Sequence, residues 1–241
     1  MKTQELIQRI QSLYSKGAQS NSSRLMSRQI YSVMLSVRST LLFNKINKKQ
    51  FISLWNYATL PCVELELVPQ NECPCVPAPG CTILRSKNKL PKPLNSIGKY
   101  MINSVTSVDG QIIFNEVSYL RKNWRKYDKY TSTKPDYFIK DDYLYISVTR
   151  KIKAVTVVML VYDPYEALSY PSQCSKETIC PPSIFDMDFS IDEDLVKTLI
   201  EMTAQELFTF FTPREDRAND GVDNPDANVG GQAQQRRNTE E

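Results

Sequence analysis

The chain has 241 residues, 41% apolar and 24% charged, with 30 Lys plus Arg against 27 Asp plus Glu, the composition of an ordinary globular protein of one or two domains. It holds no histidine, which excludes His-dependent catalytic triads and His-ligated zinc. The net charge of +3 is unevenly spread: residues 1–55 carry nine basic side chains and one acid, and residues 213–241 carry four basic and seven acidic, an asymmetry that points to polyanions or complementary protein surfaces.

The opening residues lack the unbroken apolar core of a signal peptide, and no run approaches the roughly 20 apolar residues of a membrane helix. Synthesis in the cytosol is therefore expected, with the six cysteines as free thiols or metal ligands rather than disulfides. Leu6, Ile7, Ile10, Leu13 and Tyr14 recur at helical spacing, and Gly17 with the polar run after it ends that helix. Met26, Ile30, Val33, Val37, Leu41 and Leu42 continue the period over 24–47. Off that stripe lie Arg24, Arg28, Arg38, Lys45, Lys48 and Lys49, which are expected to be available to a partner. A short helix over 50–57 brings Phe51, Leu54 and Trp55 onto one face.

At Pro61 the period changes to that of strands. Val63, Leu65 and Val68 alternate with acids, and a proline- and cysteine-rich loop follows over 69–81. Two hairpins are expected, 100–108 with 111–114 about Asp109-Gly110, and 137–139 with 143–148 about 140–142. The continuous apolar run 155–162 reads as a buried central strand. Residues 116–129 look helical or irregular. Phe185, Met187, Phe189 and Ile191 alternate with polar residues as a strand edge, and Ser190 with Glu193 fits a capping box opening a helix that ends near Thr212. From Pro213 the composition is too polar to bury a core of its own. The predicted fold class is α+β: a helical region over 1–60, a mainly antiparallel β-rich body with a closing helix over 61–212, and an extended tail over 213–241.

Cys62, Cys73, Cys75 and Cys81 fall within twenty residues, but their spacing matches no paired C-x-x-C zinc pattern, so buried or loop thiols are expected instead. The acids Asp186, Asp188, Asp192, Glu193 and Asp194 suggest a cation site at first sight. Counted from Asp186, however, the Gly and Glu that a calcium loop needs are Ile191 and Lys197. A solvent-facing strand edge and a helix cap explain the string better. Arg121, Trp124, Arg125 and Tyr127 interleave cations with aromatics, a mixture suited to a protein interface or to DNA, as are Arg24 and Arg28. The chain contains no phosphate-cradling or nucleophile motif. No catalytic residue, cofactor or metal is expected, and a nucleic-acid-binding protein using residues 1–55 and 121–130 is the alternative to an assembly protein.

The order of these elements, the stretch TILRSKNKLPKPL, the helix DEDLVKTLIEMTAQELFTFFT and the tail PREDRANDGVDNPDANV together resemble the ring or adaptor proteins of the head-to-tail connector in short-tailed double-stranded DNA phages, most closely those of the crAss-like phages. The resemblance implies a structural virion protein of the neck. It would form a homo-oligomeric ring, commonly of twelve copies, docked beneath the portal protein, stacked on further neck or tail ring proteins and passing the packaged DNA through its centre. It also implies termini that reach neighbours, here with Phe211, Pro213, Arg214, Arg217, Asn219, Asp220 and Asn224 as candidate partner-binding residues.

Overall fold

The computed structural model describes residues 1–15, 25–69, 82–96, 99–121, 127, 129, 134–147, 152–171 and 183–211. Helices α1 (Thr3–Tyr14), α2 (Ser27–Asn47) and α4 (Glu193–Phe211) form one layer over a core of Leu6, Ile10, Ile30, Met34, Val37, Leu199 and Leu207, all fully buried. The first amides of α1 have no partner within the helix. The Thr3 amide donates to the Met187 carbonyl at 2.9 Å and the Gln4 amide to that of Phe185 at 3.0 Å, so the segment before α4 caps α1. Tyr14 stacks on Phe208 with ring centroids 4.8 Å apart, which makes α1 and α4 run in the same direction. Lys45, near the end of α2, reaches Asp192 and Asp194 at the start of α4, so α2 runs opposite.

The middle of the chain closes into a barrel in the order β1-β2-β8-β7-β6-β5-β9. Its strands are β1 (Tyr57–Pro69), β2 (Thr82–Ser86), β5 (Ile102–Ser107), β6 (Ile113–Glu116), β7 (Asp136–Lys140), β8 (Tyr143–Ser147) and β9 (Ala154–Leu160). Two-residue strands β3 (Asn95–Ser96) and β4 (Lys99–Tyr100) pair separately. Neighbours in the barrel are antiparallel except β6 and β7. The apolar run read as a central strand is β9, paired with both β1 and β5, and its Val155, Val157 and Met159 are fully buried. Closure pairs every barrel strand on both sides, so the barrel has no edge strand to template aggregation.

Both expected hairpins form. Gly110 (φ +73°) turns β5 into β6, and Asp141 and Asp142 (φ 54° and 65°) supply the two left-handed positions of the tight turn from β7 to β8. A short α3 (Pro164–Leu168) follows β9, with Asp163 accepting from the Tyr165 amide at its start. Layer and barrel meet where Leu42, Leu94 and Leu160 cluster with Phe43, Ile46, Ile52, Tyr57 and Met101.

Four expectations need correction. The helix expected over 50–57 is only a 3-10 turn, Leu54–Asn56, because α2 ends in a Schellman motif: the Lys49 amide donates to Ile46 and the Gln50 amide to Lys45, with Lys49 itself at φ 54°. The stretch before α4 is no strand edge, since a single bridge between Lys2 and Asp188 is its extended pairing among the described residues. Ser190 does not cap α4, which begins only at Glu193; its hydroxyl accepts from Arg38 instead. Cys62 is disulfide-bonded rather than a free thiol or metal ligand, with its partner outside the described residues. Cys73, Cys75, Cys81 and the tail also lie outside them.

Candidate assembly interface

Arg38, expected at the surface, is fully buried. Its Nε donates to the Ser190 carbonyl at 2.7 Å, Nη1 to that of Val161 at 2.9 Å, and Nη2 to Ser190 Oγ at 3.1 Å and the Asn56 carbonyl at 3.4 Å. One guanidinium thus ties α2 to the segment before α4, to the end of β9 and to the turn before β1. Burial pulls its pKa down to about 10, against the opposing fields of Tyr31, Asp163 and Asp192. Tyr31 donates to Asp163 Oδ1 at 2.7 Å, and burial together with that carboxylate pushes the phenol's pKa far up.

At the same end of the layer, Lys45 Nζ sits 2.9 Å from both Asp192 and Asp194. Its burial works against the charge, but the two carboxylates outweigh it and raise its pKa. Asp192 also accepts from Asn56 Nδ2 at 2.6 Å, and Asp188 pairs with the Met1 amino group at 3.5 Å. The acidic string is therefore not a solvent-facing edge throughout: Asp192 is buried and paired. Among the described residues no three Cys, Asp or Glu side chains group as a metal site.

Beside these pairs opens a cleft of about 820 Å³ lined by Lys45, Phe51, Trp55, Asp188, Asp192, Glu193 and Asp194, among others. The Schellman turn sends the chain back across the end of the layer. Phe51, Leu54 and Trp55, expected on one face of a short helix, stand 81%, 72% and 60% exposed. Phe51 and Trp55 line the cleft and Leu54 is exposed between them in the chain, the kind of apolar patch that marks an interaction site. Their helical spacing in the sequence points to a helix face, but the signal that tells against one is their position just past Lys48-Lys49-Gln50, where α2 ends.

A second surface lies on the barrel wall. Phe138 of β7 stacks on Tyr145 of β8 at 5.0 Å, and Tyr119 covers Phe138 at 5.6 Å with Lys140 Nζ 4.9 Å from the Tyr119 ring. Beside it Leu120 is 81% exposed and Arg121 projects outward. Of the predicted interface residues, Arg28 on α2 and Tyr127 are exposed as well; Arg24, Trp124 and Arg125 lie outside the described residues. The structure does not bring Arg28 and Arg121 together, since one belongs to the helical layer and the other to the barrel. The nucleic-acid reading also loses two of its cations, because Arg38 and Lys45 are committed internally. Of the tail candidates, Phe211 ends α4, and Pro213, Arg214, Arg217, Asn219, Asp220 and Asn224 lie outside the described residues.

The described helices include none long and apolar enough to cross a membrane. No curated protein matches the chain. Residues 5–225 match the family of crAss ring proteins described as phage tail ring protein 2. A match over nearly the whole chain, on a mixed α+β fold with exposed apolar surfaces on both of its layers, identifies a structural virion component and not an enzyme: the chain belongs to the phage tail ring protein 2 family.

Proposed function

We propose that the protein closes into a ring in the neck of the virion, between portal and tail, with the packaged DNA passing through its centre. The observation that carries this reading is the family match over residues 5–225. The resemblance noted from the sequence supports twelve copies, the portal protein above and further ring proteins below. The helical layer and the barrel make the ring wall. The polar segment 213–241, with Phe211 before it, clamps a neighbouring structural protein through Phe211, Pro213, Arg214, Arg217, Asn219, Asp220 and Asn224.

Light scattering of the purified chain, with and without the portal protein, tests the ring. The expected result is a discrete multiple of 27.7 kDa, formed alone or on the portal. A monomer that ignores the portal and binds DNA in a steeply salt-sensitive way overturns it. Removing residues 213–241 should leave the body folded and weaken portal docking; undiminished docking by the truncated protein defeats the clamp.

A further inference from the structure

We propose that the contact closing the ring is heterologous: the cleft at the end of the helical layer, with Phe51, Trp55 and Glu193, takes the barrel-wall ridge of Tyr119, Leu120 and Arg121 from the next copy. This rests on the ring reading above and names the surfaces that build it.

A ring of one repeated chain needs two different, mutually complementary patches on each copy, placed so that one does not obstruct the other. Phe51 and Trp55, which line the cleft, are 81% and 60% exposed, and Leu120 is 81% and Tyr119 48% exposed on the wall. The two patches share no residue. They also lie apart in the topology: the helical layer meets the barrel at β9, β1 and the start of β5, and in the closed order β7 and β8 are the pair farthest from β9 in either direction.

At their exposed edges they carry opposite charges, Glu193 on the cleft and Arg121 on the ridge. The cleft is lined by Asp188, Asp192, Glu193 and Asp194, against which stand only Lys45 and the Met1 amino group. Four carboxylates face two cations, and Glu193, exposed at the rim, has no ion pair among the described residues. The ridge presents the exposed Arg121, with Lys140 over Tyr119. Trp, Tyr and Arg are also the residues that anchor interfaces when an apolar neighbour excludes water around them. A second copy of this chain is the occupant that satisfies both patches at once, because each copy then fills its neighbour's cleft while its own is filled.

The decisive measurement is the mass of single-face variants. Wild type is expected to assemble, whereas Trp55→Asp, with the ridge intact, and Leu120→Asp, with the cleft intact, should each remain at 27.7 kDa with an unchanged circular dichroism spectrum. Mixed one to one, they should stop at a dimer, since one good cleft meets one good ridge and both remaining faces are spoiled. Arg121→Glu should weaken assembly, and adding Glu193→Arg should recover it. Rings formed by either aspartate variant, or a mixture that stays monomeric, overturn the proposed contact while leaving the ring standing. A wild type that never assembles, either alone or with the portal protein, overturns the ring itself.

Discussion

Arg38 shows how one residue can carry a junction. Its guanidinium satisfies carbonyls from three separate segments, and each of those acceptors, stripped of its donor in a buried place, costs about 1–3 kcal/mol. Arg38→Met keeps the packing volume and removes the donors, so urea unfolding should show a loss of about 3 kcal/mol or more. Arg38→Lys should recover only part of it, since a single ammonium cannot span the fork of acceptors. The helical period places position 38 off the main apolar stripe, and an arginine there reads as surface. That reading fails because the sequence shows the charge but not the carbonyls of Ser190 and Val161, which only folding brings to it.

Among the elements, α2 depends on its last turn. Lys49 holds a left-handed conformation that costs an L-residue about 1 kcal/mol and glycine nothing comparable. Lys49→Gly should therefore raise stability by about 0.5–1 kcal/mol in thermal or urea unfolding, and a loss would show that the lysine side chain does more than occupy the turn. Element types were largely legible: the periods of 3.6 and 2 located α1, α2, α4, both hairpins and β9. The errors share one cause. For 50–57 and 185–191 the apolar spacing was read as regular structure, but a chain reversal and a set of tertiary hydrogen bonds claimed those backbones instead.

Over the whole molecule, buried phenols link stability to alkaline pH. Burial, first of all, raises the pKa of Tyr31 in the helical layer and of Tyr137 in the barrel far above 10, and that of Tyr170 to about 12. A phenol with a raised folded pKa contributes stability that is complete below the unfolded pKa of about 10 and is lost as pH rises through the folded one. Arg38 has the opposite sign: lowered to about 10, it releases its proton in the folded state first and adds stability above that pH. Three phenols outweigh one guanidinium, so the urea midpoint should fall steadily above about pH 10, with phenolate absorbance rising only as the protein unfolds. A midpoint flat to about pH 12 would mean these phenols ionise in the folded protein.

The sequence by itself determined the mixed α+β class, the strands and helices with strong periodicity, the absence of histidine chemistry and, through the order and texture of its segments, the resemblance to phage ring proteins. These are local or compositional properties, written into side-chain spacing. Only the tertiary structure decided that the strands close into a barrel, that Arg38 belongs to the interior and Lys45 pairs with Asp192 and Asp194, that Cys62 is cross-linked, and that Phe51 and Trp55 face outward in an acidic cleft. Burial and charge pairing depend on which distant segments meet, and contacts across more than a hundred residues, such as Arg38 with Ser190, leave no trace in local spacing.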